Sequence, residues 1–227
     1  MMAEKEEYQP ISRVHRSKDD AKKYYDSISS AYDCLGGIFE RKLAEKALRT
    51  LAIQDGDIVL EIGFGTGHCL QKIALSVGRK GKAYGIDISD GMLRITRKRL
   101  EKAARLGRVE LYHGDACKLP FNNGTFDVVF MSFTLELFDT PEIPELLSEV
   151  WRVLKAGGSL GVVSLSKIKG NLMALRMYEW LHRKFPKYAD CRPIYLEESL
   201  CKADFSIKIK EIYSLFALPV EIVVAYK

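Results

Sequence analysis

The sequence predicts an α/β fold, an open and mostly parallel sheet with helices on both faces. Three observations predict it. From Asp57 onward, short apolar runs alternate with segments of helical period. The first run closes on a glycine turn, Gly63-Phe64-Gly65-Thr66-Gly67. The C-terminal stretch alternates as a hairpin should, with Ile207 and Ile209 on one arm and Val220, Ile222, Val224 and Tyr226 on the other.

The elements follow in order. Residues 1–20 are polar and mixed in charge, lack the apolar stretch of a signal peptide, and read as a flexible leader. Residues 21–54 form a helical cap. In the 55–165 core, Ile58-Val59-Leu60-Glu61-Ile62 is the first strand, and Leu70, Ile73, Ala74 and Val77 mark a helix that Gly78 stops. Ala83 to Asp87 is the second strand, and Ser89 caps a helix carrying Met92, Leu93 and Leu100. Val109 to Tyr112 is the third strand. Asn123-Gly124 turns the chain into a fourth, Phe126 to Met131. Ile143, Leu146, Leu147, Val150, Trp151 and Leu154 define an amphipathic helix that stops at Gly157-Gly158, and Leu160 to Leu165 is the fifth strand. Residues 166–203 are a mostly helical insertion broken around Pro186 and Pro193, and 204–227 are the hairpin. The 227 residues form one domain with additions at the N-terminus and before the last two strands.

Composition narrows the function. No window approaches the roughly 18 apolar residues that span a bilayer, so no stable membrane insertion is expected and the cytoplasm is the expected location. The five cysteines are scattered without Cys-x-x-Cys spacing, so neither a zinc site nor a redox pair is indicated. Net charge is +5, and the run Arg94, Arg97, Lys98, Arg99, Lys102, Arg105 reads as a solvated helix face. No separate basic domain is present to read nucleic acid. Nothing in the pattern speaks to oligomeric state.

A strand that feeds a glycine turn and then a helix is how open α/β sheets seat nucleosides at their carboxyl edge. Here the spacing is Gly-x-Gly-x-Gly, and His68 stands where a dinucleotide fingerprint wants glycine or alanine. An NAD(P)-dependent oxidoreductase is thus the second reading. Acids close three consecutive strands: Glu61, Asp87 and Asp115. At Asp87 a carboxylate can accept from both ribose hydroxyls, and at Asp115 from an adenine amino group.

The stretches Val59 to Gly67, Gly85-Ile86-Asp87-Ile88-Ser89, Gly114-Asp115-Ala116, Leu119-Pro120-Phe121, Phe126 to Val129 and Arg152 to Gly158 together resemble the class I S-adenosylmethionine-dependent methyltransferases. More narrowly, the chain is similar to the ubiquinone/menaquinone group, whose N-terminal helix over the cofactor resembles Tyr25-Asp26 to Tyr32-Asp33. The resemblance implies a Rossmann-like, seven-stranded sheet with an antiparallel last strand. It implies S-adenosylmethionine as cofactor, with Gly63, Gly65 and Thr66 along its methionine portion and Glu61 and Gly67 also among the cofactor-binding residues. Asp87 would then hold the ribose, Asp115 and Ala116 would meet the adenine, Ser132 would sit near the sulfonium, and Tyr25, Ile88 and Met92 would also bind the cofactor.

The expected activity is in-line methyl transfer to a small apolar or aromatic acceptor. Glu136, just past the fourth strand, is the candidate general base. Quinone-modifying members usually carry Arg-Asn where this chain has Glu136-Leu137, a charge reversal that argues against a quinone ring. Tyr178, Trp180, Phe185, Tyr188 and Tyr195, with His182 and Arg192, are candidates for a lid over the acceptor. A methyltransferase-like protein that holds the cofactor without catalysis is the third reading.

Overall fold

The structure, a computed structural model, describes residues 11, 13–14, 17–29, 37–103, 106–168, 172–184 and 191–227. Tyr32, Asp33, Cys34, Arg105, Phe185, Pro186 and Tyr188 lie outside them. Seven strands form one sheet: β1 (Ile58–Ile62), β2 (Lys82–Asp87), β3 (Val109–His113), β4 (Phe126–Ser132), β5 (Leu154–Leu165), β6 (Ser206–Leu215) and β7 (Leu218–Tyr226). Their order is β3-β2-β1-β4-β5-β7-β6, and only β7 runs against its neighbours. This is the class I methyltransferase architecture.

Side chains alternate across the sheet into two cores. Val59, Val128, Phe130 and Val163 face the cluster built with α2 (Gly37–Leu51), α3 (His68–Ser76), α4 (Asp90–Lys102) and Leu175 of α6 (Leu172–Lys184). Leu60, Val129, Met131 and Val162 face the cluster built with α5 (Glu142–Val153) and α7 (Leu196–Lys202). Strands covered on both faces read as continuous apolar runs, and β1 and β4 do.

Three expectations change. Helix α5 ends at Val153 rather than at the glycines, because Leu154 already pairs with Phe126 on β4. The carbonyls freed there are taken up by Lys227 Nζ, which donates to Trp151 O and Leu154 O at 2.7 and 2.8 Å. Next, β7 is not half-buried. It lies between β5 and β6 and is buried along Leu218–Ala225, so the alternation read from its sequence describes which core each side chain enters.

Third, Arg13, Val14, Ser17 and Lys18, which fall in the expected leader, are anchored rather than loose. Asp139 accepts a bond from Val14 N–H at 2.9 Å and pairs with Arg13, and α1 (Lys18–Ile28) begins within the expected leader. Ser17 caps α1 by accepting from Asp20 N–H. Helix α1 buries none of its side chains fully. It is held by polar contacts: Asp26 accepts from Ser89 Oγ–H and Gly91 N–H at 2.6 and 2.7 Å, and Lys22 pairs with Asp90.

Candidate active site

The carboxyl ends of β1, β2, β3 and β4 open into a cleft, roofed on one side by α1. The cleft brings together most residues that the sequence singled out: Tyr25, Gly63, Gly65, Asp87, Ile88, Met92, Asp115, Ala116 and Ser132 all line it.

The floor is the glycine turn. Gly63 has φ +71, and a Cβ there would fall 2.5 Å from the Thr134 side chain. Gly65 has φ +51, and a Cβ would meet nothing within 4 Å. The first glycine is required by packing and the second leaves the backbone bare toward the cleft. Thr66 and Gly67 do not line the cleft. Thr66 is buried and accepts from Arg99, while Gly67 is the left-handed N-cap of α3, so both shape the turn from behind.

Asp87 ties the turn to the next strand. Its carboxylate accepts from Gly65 N–H and Ser89 N–H, each at 2.9 Å, one on each oxygen. Burial pushes its pKa up, and the two backbone donors pull against that. A carboxylate offers about four lone-pair positions, so both oxygens keep room for further donors on the cleft side. Glu61, under the turn, is buried and leaves Oε2 without a partner. Burial first and the Asp87 charge second hold its carboxyl well above the usual range. Glu61 does not line the cleft.

At the end of β3, Asp115 accepts from Cys117 N–H at 3.0 Å and pairs with Lys18 from α1. Burial pushes its pKa up, but Lys18 and the Cys117 N–H outweigh that and the net shift is down. Lys18 also pairs with Glu142 at 2.9 Å. Ile86, Ile88, Met92 and Ala116 provide apolar walls between the two acids. Vicinal acceptors at Asp87, a flat apolar slot and a second acid at Asp115 fit an adenosine, and the bare turn fits the chain that extends from it. The residues present fit S-adenosylmethionine.

Beyond β4, Phe133 holds φ +51, a left-handed conformation rare for a bulky residue. Phe133, Thr134, Leu137 and Phe138 also line the cleft. Glu136 does not face the cleft. Its side chain is fully buried, accepts from Leu165 N–H at 3.1 Å and leaves Oε2 unpartnered. The short 3-10 turn Leu135–Leu137 rotates it inward to satisfy the end of β5. Burial pushes its pKa up to about 8.

Among the described residues, none of the expected lid side chains lines the cleft. Tyr178 and Tyr195 are half-buried, Trp180 is half-exposed and His182 is buried at 6% exposure, not on the surface. Arg192 is fully buried and donates to Phe138 O and to Thr140 Oγ1. It braces the cleft wall from outside. The sequence reading missed Val14, Ser17, Lys18, Ala21, Phe133, Thr134, Leu137, Phe138 and Glu142, all on the cleft. A usable signal existed for some of them: Ser17-x-x-Asp20 is a helix-start pattern lying inside the supposed leader.

Comparisons with known proteins give the family and the fold. Residues 13–191 match the model of the ubiE/COQ5 methyltransferase family. A demethylmenaquinone methyltransferase of Symbiobacterium thermophilum is 30% identical over 221 residues, covering 91% of this chain and 87% of that protein. One from Geobacillus kaustophilus is 32% identical over 177 residues, covering 76% and 74%. Among solved structures, a SAM-dependent methyltransferase from Aquifex aeolicus superposes with a TM-score of 0.60 at 24% identity, over 81% of this chain and 88% of that one. The [4+2]-cyclase SpnF superposes with a TM-score of 0.75 at 18% identity, over 97% and 99%. A cyclase on this fold shows that the architecture alone does not name the reaction.

Proposed function

This chain belongs to the ubiE/COQ5 methyltransferase family, and from that premise we propose that it is an enzyme that methylates a small aromatic acceptor of the quinol class. Its cofactor is S-adenosylmethionine, whose sulfonium supplies an electrophilic methyl group. Support for an oxidoreductase is absent from the family match and from the turn spacing.

The observation that carries the reading is Asp87 bonded to the Gly65 N–H while facing the cleft. One carboxylate thereby fixes the turn and presents ribose acceptors. In this reading Asp115 and the backbone at Ala116 take the adenine amine, with Ile88 and Met92 against its faces. Tyr25 closes the roof, and Ser132 stands beside the reacting carbon. The protein's part in the chemistry is alignment and exclusion of water, since positioning lowers the barrier to methyl transfer.

The acceptor follows from the residues just past β4. Phe133, Leu137 and Phe138 offer aromatic and aliphatic surface next to Ser132. The relatives are named for demethylmenaquinone, an aromatic lipid of matching character. Glu136 no longer argues against such a ring, because its carboxyl is turned into the interior and its reversed charge does not meet the acceptor. The enzyme is read as working from the cytoplasm.

Label transfer from methyl-labelled S-adenosylmethionine to a panel of quinols, phenols, amines and phospholipid headgroups tests the reading. Label on the quinols is expected. Tight S-adenosylhomocysteine binding with no transfer to any acceptor would instead favour a cofactor-holding protein without catalysis. Tight NAD(H) binding without S-adenosylhomocysteine binding would overturn the cofactor as well.

A further inference from the structure

Helix α6 is apolar on both sides. Its inner face, with Leu175, Tyr178 and His182, packs inward, and Leu175 and His182 are 5% and 6% exposed. Its outer face presents Met173, Met177, Trp180 and Leu181 at 82%, 68%, 50% and 37% exposure. These positions recur as one stripe about 100° wide, where a surface helix ordinarily carries charge. A contiguous apolar patch of this kind marks an interaction site.

The stripe sits at the carboxyl edge of the sheet. Lys167, two residues past β5, pairs with Glu179 of α6 at 2.8 Å. A second apolar feature lies at the same edge. Val220 of β7 pairs with Leu165, the last residue of β5, so the β6–β7 turn projects beyond the sheet. At its tip Phe216 and Ala217 hold φ +50 and +65, and Phe216 is 73% exposed. Such turns favour Asn or Gly, so a phenylalanine there is strained as well as solvated. Its ring meets the half-exposed Phe39 at 5.4 Å.

Cations accompany these side chains. Lys42 lies 5.7 Å from the Phe39 ring, and Arg176 and Lys184 are exposed on α6. Glu179, the acidic residue of α6, is engaged by Lys167. An apolar and aromatic face with a basic rim is complementary to an anionic lipid surface. A second copy of the chain would set like-charged rims against each other.

We propose that the carboxyl edge, through the α6 stripe and Phe216, docks on an anionic lipid bilayer. Met177, Trp180 and Phe216 enter the boundary between headgroups and acyl chains, and Arg176, Lys184 and Lys42 meet the lipid phosphates. The inference rests on the lipophilic acceptor proposed above, because the cleft opens at the same edge and an acceptor drawn from lipid need not cross water.

Flotation of the full chain with phosphatidylglycerol/phosphatidylcholine vesicles, against phosphatidylcholine alone, is the test. The chain floats with the anionic vesicles, and Met177→Glu, Phe216→Glu and the pair Arg176→Glu/Lys184→Glu each weaken this by about tenfold or more. Trp180 emission shifts to the blue on the same vesicles. Trp151, the other tryptophan, packs on Phe205 and serves as the constant background in a Trp180→Phe control. The altered side chains are exposed, so melting temperature and S-adenosylhomocysteine affinity stay at parental values. Absence of flotation, equal flotation of all variants, or a dimer that Met177→Glu dissolves would overturn the proposal. Turnover of a water-soluble quinol analogue is read in parallel. If it persists while flotation fails, the docking inference alone falls, and if it is absent, the acceptor reading falls whatever the vesicles do.

Discussion

Replacing Asp87 with alanine perturbs two things that the structure separates. The carboxylate accepts from Gly65 N–H and Ser89 N–H at 2.9 Å, so alanine leaves two backbone donors without their acceptor. Orphaned donors cost about 1–3 kcal/mol each, less where water reaches them from the cleft. The chain should therefore melt at lower temperature even without cofactor. Binding loses a further contribution, because charge-assisted bonds to the ribose hydroxyls disappear. That loss is about 1.5–3 kcal/mol, or about 10- to 150-fold in dissociation constant. Calorimetric titration with S-adenosylhomocysteine, well below the melting temperature of each variant, reads this number directly. Ser89→Ala is the control, since it removes the N-cap bond to Met92 N–H and the bond to Asp26 but leaves Asp87 in place. It should lower stability and affect affinity less. An Asp87→Ala chain that binds with an unchanged dissociation constant would refute the ribose assignment.

Gly63→Ala should destabilise the fold by about 2 kcal/mol or more, from left-handed strain and overpacking against Thr134. Adding Thr134→Ala should recover part of that in denaturant unfolding, whereas no recovery would place the cost elsewhere. Glu136 has a folded-state pKa of about 8, raised by burial, with Glu40 and Arg192 among the charges that act with it. A raised carboxyl pKa means that its contribution to stability is full below the ordinary glutamate range and is lost as pH climbs through about 8. Glu136→Gln should thus gain stability over the parent as pH rises from the ordinary glutamate range to about 8, by up to about 5 kcal/mol at about 1.4 kcal/mol per pH unit, with the gap closing toward acid. Thermal melts across pH check this, and parallel pH curves would show that Glu136 is charged in the fold. Asp26→Ala should release α1 from Ser89 and Gly91, seen as faster amide exchange over Lys18–Ile28 with the sheet unchanged. Unaltered exchange there would mean that other contacts hold the helix.

What the sequence made legible was local. The run Ile58–Ile62 with its glycine turn, Ser89 as an N-cap and the acid closing β2 are each decided within a few residues, and the structure has them where they were expected. The rest depended on contacts far along the chain. Glu136 reads as a loop acid until the 3-10 turn aims it at Leu165, which is 29 residues away. Lys18 sits in a polar stretch, and only its pairing with Asp115, 97 residues on, makes it part of the cleft. The end of α5 was misjudged because Leu154 suits a helix and a strand equally, and pairing with Phe126 decided it. The alternation of β7 could not reveal that a second core covers its other face. Arg192 looked like a lid residue because nothing local shows that Phe138 O and Thr140 would draw it inside.

The central claim is that the cleft between Gly63, Asp87 and Asp115 seats S-adenosylmethionine, and a crystal structure with S-adenosylhomocysteine tests it most directly. The account predicts both ribose hydroxyls on the Asp87 carboxylate, the adenine amine at Asp115, and the sulfur facing Ser132 and Phe133. Density for the ligand elsewhere, or an adenosine whose ribose does not touch Asp87, would contradict it.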